Sequence, residues 1–266
     1  MAKNFLAVTE IGGEQVSQAQ VLRFQQRYMW AGLFCQGKDV LEAACGTGPG
    51  LGHLASVSKS LTAGDYSPEV LAVCMAHYGN RIALREFDAQ ATPFADASFD
   101  VVILFEAIYY LPNAESFIAE CRRLLRPGGV LLLVTANRDL FDFNPSPFSI
   151  RYYNPPELSA LLAKHGFDAE FFGGSPVGRA GLKNRVLRLA KKMAVSFNLI
   201  PGSMRSKRFL KRLVFGKLVP MPRELQVDDV QYEPPVPIDG SQPDTVHQVL
   251  YCVAKTQVKN EANSIL

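Results

Sequence analysis

The sequence predicts an α/β fold, a doubly wound and mostly parallel sheet with helices on both faces. Three observations carry this. Short apolar segments alternate with helical stretches from residue 40 to residue 172. Val101-Val102-Ile103-Leu104-Phe105 is an uninterrupted apolar run, as expected of a parallel strand covered on both faces. The strand Val40-Leu41 ends at Glu42 and enters a glycine turn, Gly46-Thr47-Gly48-Pro49-Gly50, ahead of a helix-like stretch over 51–57. Glycine lacks the β-carbon that would keep backbone away from a nucleotide-like ligand.

Taken in order, residues 15–35 read as a helix, with Val16, Val21, Phe24, Tyr28 and Leu33 at mixed three- and four-residue spacings. A second strand spans 60–63 and a second helix 68–78, with a short strand over 82–86 ahead of Asp88. The run 101–105 is followed by a helix over 114–125, stopped by Pro127-Gly128-Gly129. The strand 130–135, a helix over 156–165 ended by Gly166, and a strand over 167–172 complete the alternation. The last strand, 246–255, comes only after a long interruption. The expected organisation is an N-terminal helical cap (1–36), a core (37–173 and 245–258), and a helical insertion or lid (174–244) before the last strand.

Bulk properties narrow the setting. At 266 residues the chain has ample length for a buried core, and 48% hydrophobic with 20% charged residues is ordinary for a soluble protein. The first residues lack a signal peptide's apolar core, no apolar run approaches a membrane span, and the five cysteines are scattered. A reduced, cytoplasmic setting is expected. The net charge of +3 hides an asymmetry. Residues 178–223 contain no Asp or Glu but 13 of the 28 basic residues, leaving 15 basic against 25 acidic groups elsewhere, a balance of −10.

The three glycines of the turn alternate, so the phosphate fingerprint Gly-x-Gly-x-x-Gly is not matched. An acid four residues before the first glycine favours a cationic ligand end over a pyrophosphate. Asp65, at the end of the second strand, suits a ribose diol, which a carboxylate holds by accepting from both hydroxyls. The competing role is a helix N-cap, a post that Ser67 can fill. Asp88 could accept from an adenine amino group while the backbone of Ala89 donates to the ring; a turn aspartate is the competing role. The four histidines have no metal-ligand spacing.

The glycine run resembles the first motif of class I S-adenosylmethionine (SAM)-dependent methyltransferases. Asp88-Ala89, Pro93-Phe94, Ser98-Phe99-Asp100 and Arg126-Pro127-Gly128-Gly129 then arrive in the order of the group often called type 11. The resemblance is strong over about residues 20–140. It implies a Rossmann-like core with SAM as cofactor. Gly46, Gly48 and neighbouring backbone, including Cys45, would line the methionine part, with Glu42 near its amino group. Asp65 would take the ribose, Tyr66 would lie beside the adenosine, and Asp88 with Ala89 would read the adenine. Phe105 would bring its backbone to the methionine amine. Arg27 and Tyr28 would close over the SAM carboxylate, as similar pairs do in relatives, or form a packed helix face.

The segment 105–112 forms the wall between SAM and acceptor in such folds. Similar ubiquinone-pathway O-methyltransferases carry an acid and a histidine where this chain has Tyr109 and Tyr110. Tyrosines bind metal poorly beside His and carboxylate, so no metal is expected. Tyr110 is the candidate catalytic residue, packing against, positioning or deprotonating the acceptor, although an unperturbed phenol is a weak base near neutrality.

In the basic segment, Leu182, Val186, Leu189, Met193, Phe197 and Ile200 recur at helical period, with Arg185, Arg188, Lys191 and Lys192 off that face. This reads as a lid. The sharper alternative is docking of 178–223 on an anionic membrane surface, placing the protein at the inner face of a membrane. Few aromatics are available for base stacking, so nucleic acid is not expected. The reading is a SAM-dependent methyltransferase acting on a hydroxyl of a small molecule, sugar or glycolipid, with N-methylation kept open. A nicotinamide-dependent oxidoreductase and a non-catalytic SAM-binding or membrane-adaptor protein are the alternatives.

Overall fold

The computed structural model describes residues 5–177 and 218–257. Its centre is an eight-stranded sheet in the order β4-β3-β2-β5-β6-β10-β7-β9. These strands are β2 (Asp39–Ala43), β3 (Ser60–Asp65), β4 (Ala83–Glu86), β5 (Phe99–Phe105), β6 (Leu125–Ala136), β7 (Phe167–Pro176), β9 (Val236–Ile238) and β10 (His247–Thr256). The first five are parallel to one another, whereas β10 lies antiparallel between β6 and β7. Strand order turns back between β2 and β5, so the glycine turn after β2 sits at the topological switch point, where open α/β sheets bind ligands.

The apolar runs divide by parity onto the two faces. Val40, Val101, Ile103, Leu132 and Val134 pack with Trp30, Leu54 and Leu71 beneath α1 (Gln18–Cys35), α2 (Leu51–Val57) and α3 (Pro68–Tyr78). Leu41, Val102, Leu104, Leu131 and Leu133 pack with Phe117, Ile118, Leu158 and Leu162 of α4 (Ala114–Leu124) and α5 (Pro155–Lys164). Ile103 and Leu104 are fully enclosed on opposite faces, and truncating either to Ala is worth about 2–5 kcal/mol.

The helices start where the sequence supplies caps. Ser17, Ser67 and Asn113 each accept a backbone N–H of the first turn, and Asn154 with Glu157 makes a reciprocal capping box. Several boundaries differ from the sequence reading. The first helix begins at Gln18, because residues 15–17 form a short strand, β1 (Gln15–Ser17), paired with β8 (Leu218–Pro220). The fourth helix ends before Arg126-Pro127-Gly128-Gly129, which already belongs to β6. Arg126 bridges Asp39 and Asp100 there, at 2.9 Å each, at the opposite end of β2 and β5 from the glycine turn.

Where it is described, the span assigned to a helical insertion holds short strands, turns and loop but no helix. β7 runs on to Pro176, β8 is a strand, and β9 forms the sheet edge beside β7. The return segment is tied to the core by Leu225, whose N–H donates to the Pro49 carbonyl, and by Glu224, which meets Arg81 at 2.8 Å and His77 at 3.0 Å. The amphipathic stretch 182–200 and most of the basic segment lie outside the described residues. Among the described residues no helix is long and apolar enough to cross a membrane.

Candidate active site

A cavity of about 810 Å³ opens at the carboxyl ends of β2, β3 and β5. It is walled by the glycine turn, the start of α3, the segment after β5, the inner face of α1 and the chain's leading residues. Tyr28, Glu42, Cys45, Gly46, Asp65, Tyr66, Asp88, Ala89, Phe105 and Tyr110 all line it. Gly48 does not. It sits at φ +75°, and a β-carbon there would lie 2.5 Å from Cys74 Sγ and 2.8 Å from Leu51 Cδ1. Its carbonyl accepts from Tyr78 Oη at 2.7 Å. Gly48 therefore shapes the turn from behind and does not face the ligand space. Gly50 serves Tyr28, whose ring carbons would be 2.2 Å from an added β-carbon.

That approach brings Tyr28 Oη to Glu42 Oε1, 2.6 Å away. Glu42 is buried, and its other oxygen, Oε2, has no protein partner. Burial pushes its carboxyl up to about 7, against the opposing influence of the Tyr28 hydrogen bond and the Arg27 charge. Arg27 is buried as well. It meets Glu106 Oε1 at 2.9 Å while its Nε lacks a partner. One cavity thus holds an unsatisfied buried acceptor on an acid and an unsatisfied buried donor on a cation. Two opposite, incompletely paired charges on one wall match the charge pattern of a zwitterionic amino-acid group, which an apolar ligand lacks.

Asp65 is engaged and not free. Its Oδ2 accepts from the Gly46 N–H at 3.0 Å and its Oδ1 from the Ser67 N–H at 2.9 Å, while Ser67 itself caps α3. Each oxygen keeps a second lone pair, so Asp65 can fix the turn and still accept from a diol. Burial nevertheless raises its carboxyl above the usual range. Asp88 accepts the Gln90 N–H at 2.8 Å and the Gln90 side-chain amide on both oxygens. That amide holds a place an adenine amino group could take. Tyr66 is 65% exposed at the rim.

On the far wall, Tyr109 stacks on Tyr152 with centroids 4.2 Å apart and donates to Glu106 Oε2 at 3.2 Å. Tyr110 Oη lies 2.6 Å from Ser146 Oγ, and its ring meets Phe5 edge-on. Burial raises both phenols above their ordinary range, which makes them poorer bases. The role of Tyr110 as a proton acceptor is therefore disfavoured, and packing or hydrogen bonding is what its surroundings permit. His247 does not line the cavity; it pairs with Asp244 at 2.9 Å against Gly173.

Sequence reasoning missed the leading segment. Phe5, Val8, Thr9 and Glu10 line the cavity, and Thr47 Oγ1 donates to the Glu10 carbonyl at 2.7 Å. Arg23 and Ser146 were also missed, and Glu106, inside the expected wall 105–112, was given no individual role. Glu106 sits at φ +51°, an uncommon conformation for a residue with a side chain and a pointer to a functional position. Among the described residues lining the cavity, six carboxyl side chains face two guanidinium groups. This balance suits a cationic ligand and repels a dinucleotide's pyrophosphate. No group of three or more His, Cys, Asp and Glu among the described residues is arranged to hold a metal.

Comparison with known proteins agrees with this geometry. Residues 41–133 match the family model described as a methyltransferase domain. The chain is 41% identical over 140 residues to a "Probable S-adenosylmethionine-dependent methyltransferase" of Mycolicibacterium smegmatis, covering 51% of this chain and 54% of that one. It is 29% identical over 166 residues to a "Ubiquinone biosynthesis O-methyltransferase" of Xanthomonas oryzae pv. oryzae, covering 61% of this chain and 67% of that one. Among solved structures, the Thermotoga maritima "SAM-dependent methyltransferase, possible histamine N-methyltransferase" superposes with a TM-score of 0.57 at 15% identity. The match covers 90% of this chain and 92% of that one, and shows the fold. The core thus has a Rossmann-like fold, and the part of it over residues 41–133 matches a methyltransferase domain. The chain spans about half the length of the first curated relatives it matches.

Proposed function

We propose that the protein transfers the methyl group of SAM to a hydroxyl of a small-molecule, sugar or glycolipid acceptor. The observation that carries the cofactor assignment is the pair of unsatisfied buried groups, Glu42 Oε2 and Arg27 Nε, in a cavity at the switch point. Glu42 takes the ammonium and Arg27 the carboxylate of the methionine end. Asp65 takes the ribose, and Asp88 with Ala89 the adenine. Bound in this way, SAM supplies an electrophilic methyl group on a sulfonium. The protein's own contribution is placement. Tyr109, Tyr110, Ser146 and Phe5 form a wall that mixes rings with hydroxyls, suited to orienting an acceptor of mixed polarity. In-line placement supplies much of the barrier reduction in such transfers.

The choice of oxygen is supported by the relative named as an O-methyltransferase and by hydroxyl donors on the wall, which can hold an acceptor oxygen. The decisive experiment pairs calorimetry of SAM binding with transfer of a labelled methyl group to phenol, catechol, octyl glucoside and octylamine. SAM binding with label on the hydroxyl compounds is the expected result. Label on octylamine alone would make the enzyme an N-methyltransferase. SAM binding without S-adenosylhomocysteine formation from any natural extract would favour a non-catalytic SAM-binding protein.

A further inference from the structure

Methylating a neutral hydroxyl releases a proton, and the tyrosines on the acceptor wall are poor places to put it. We propose that Glu10, carried on the leading segment, is the group that receives the acceptor's proton. The proposal rests on the methyl-transfer reading above and adds to it a residue that the cofactor site does not use.

Position is the first argument. The Glu10 carbonyl accepts from Thr47 Oγ1 at 2.7 Å, which fixes this residue against the glycine turn. Neighbouring Thr9 reaches Gly46, its Cγ2 lying 3.3 Å from where a β-carbon on that glycine would be. The side chain lines the same cavity as Tyr110 and Glu106 on the acceptor wall. Glu10 thus stands between the methionine end of the cofactor site and the wall across from it.

Availability is the second. The other five cavity carboxyls are engaged elsewhere, with the unpaired Oε2 of Glu42 reserved in the proposed reading for the methionine end. Glu42 holds Tyr28, Asp65 holds two backbone N–H groups, and Glu69 accepts from Ser67. Asp88 holds Gln90, and both oxygens of Glu106 are taken by Arg27 and Tyr109. Among the described residues one side chain donates to Glu10, the Gln20 amide to Oε1 at 3.0 Å, and the residue's own backbone N–H also reaches the carboxylate. These bonds orient the carboxylate, and no described side chain donates to Oε2, which is the oxygen proposed for the substrate proton. The charged and titratable groups around Glu10 are Arg23 and Arg27 of α1, Glu106 after β5, and Tyr110. Burial raises the carboxyl, ahead of the opposing influence of Arg27, and a base nearer neutrality accepts a proton more effectively.

The step balances without any further reactant. A lone pair of the acceptor oxygen forms the O–CH3 bond, and the S–CH3 bond breaks with its electron pair passing to sulfur. The sulfonium becomes a neutral thioether, and the O–H proton moves to Glu10 Oε2.

The test compares wild type with Glu10→Gln and Glu10→Asp on the full chain. Gln retains an acceptor oxygen for Gln20, so the local hydrogen bond survives. Three readouts are taken: SAM affinity by calorimetry, methylation of phenol, catechol and octyl glucoside against pH, and the reverse transfer from methyl iodide to S-adenosylhomocysteine, in which no proton moves. Glu10→Gln is expected to lower hydroxyl methylation about 100-fold or more and to abolish the rising acid limb of its pH profile. SAM affinity and the methyl iodide reaction should stay within about threefold, a change of about 0.6 kcal/mol and smaller than the loss of a charged hydrogen bond. Glu10→Asp should recover part of the rate. Hydroxyl methylation within threefold of wild type overturns the assignment, as does an equal loss in the methyl iodide reaction, which would mark a structural role. A wild type that binds SAM yet methylates no hydroxyl probe also overturns it, whereas a wild type that fails to bind SAM sinks the methyl-transfer reading itself.

Discussion

Replacing Glu42 with Gln tests the cofactor site through two readouts that move in opposite directions. The carboxyl is enclosed by Tyr28, the β-sheet and the glycine turn, with one oxygen unsatisfied. Burial pushes it up to about 7. The folded protein therefore binds this proton more tightly than the unfolded chain does. The associated stability is fully present below the usual carboxylate range and is lost as pH rises through about 7. With about 1.4 kcal/mol for each tenfold change, ionising Glu42 in the empty protein costs about 3 kcal/mol. Gln carries no charge to desolvate and can still accept from Tyr28. Near pH ~8 the variant should melt about 6 °C above wild type, at ~2 °C per kcal/mol for a chain this long. Near pH ~5, where folded wild-type Glu42 is protonated, the difference should shrink to about 2 °C or less.

SAM binding should respond in the other sense. The ammonium of the methionine end needs the ionised carboxylate, and losing a charge-assisted hydrogen bond weakens binding by about 1.5–3 kcal/mol. In wild type, SAM affinity should fall as pH drops below about 7, because binding must then expel the Glu42 proton. Melting curves at the two pH values and calorimetric titrations of SAM read both effects. A variant less stable than wild type at both pH values, or one with unchanged SAM affinity, would refute the reasoning.

Asp65→Ala should weaken SAM binding by roughly 1.5–3 kcal/mol by titration calorimetry and loosen the glycine turn, since both oxygens also hold backbone N–H groups. Asp65→Asn should lose less of the turn's stability in a melting experiment. Gly48→Ala should destabilise the fold by about 2–4 kcal/mol in denaturant titrations, combining a positive φ with a clash against Cys74. Activity should survive EDTA, because SAM chemistry and this wall require no ion; loss that magnesium restores would contradict that expectation. Binding to anionic vesicles should fall with salt and with Ser at Lys191, Lys192, Lys211 and Arg212 if 178–223 docks on membrane, each nearby cation contributing about 1 kcal/mol at low salt.

The core was legible because its signals are local. Ser67-Pro68 starts α3, Gly79 ends it at φ +54°, and the apolar run of β5 could only be a strand covered on both sides. That Glu42, Asp65 and Asp88 would line one cavity was legible for the same reason, since each stands at or just past a strand's carboxyl end. Elements formed by distant pairing were not legible. β1 is three residues long and exists through Gln15, Val16 and Ser17 pairing with Pro220, Val219 and Leu218. β9 reads as a proline-rich loop because Pro237 cannot donate to a ladder. It is tolerated because β9 is the edge strand, with a neighbour on one side only.

Glu10 shows why the acceptor half escaped the same reading. Thr9-Glu10-Ile11-Gly12-Gly13-Glu14 has no periodicity and matches no motif. Its place comes from tertiary contacts. Thr47 holds the Glu10 carbonyl, Gly13 N–H donates to the Met221 carbonyl, and Arg223 packs so closely on Gly12 that a β-carbon there would lie 2.5 Å from Arg223 Cγ. The leading segment is thus clasped between the glycine turn and the chain returning from the basic stretch. The wall proposed for the cofactor is built from strand termini, whereas the opposite wall combines pieces as far apart in sequence as Phe5 and Ser146. On the proposed reading, substitutions at Glu10 or Ser146, which line the wall away from Asp65 and Asp88, are expected to change the acceptor more than the cofactor.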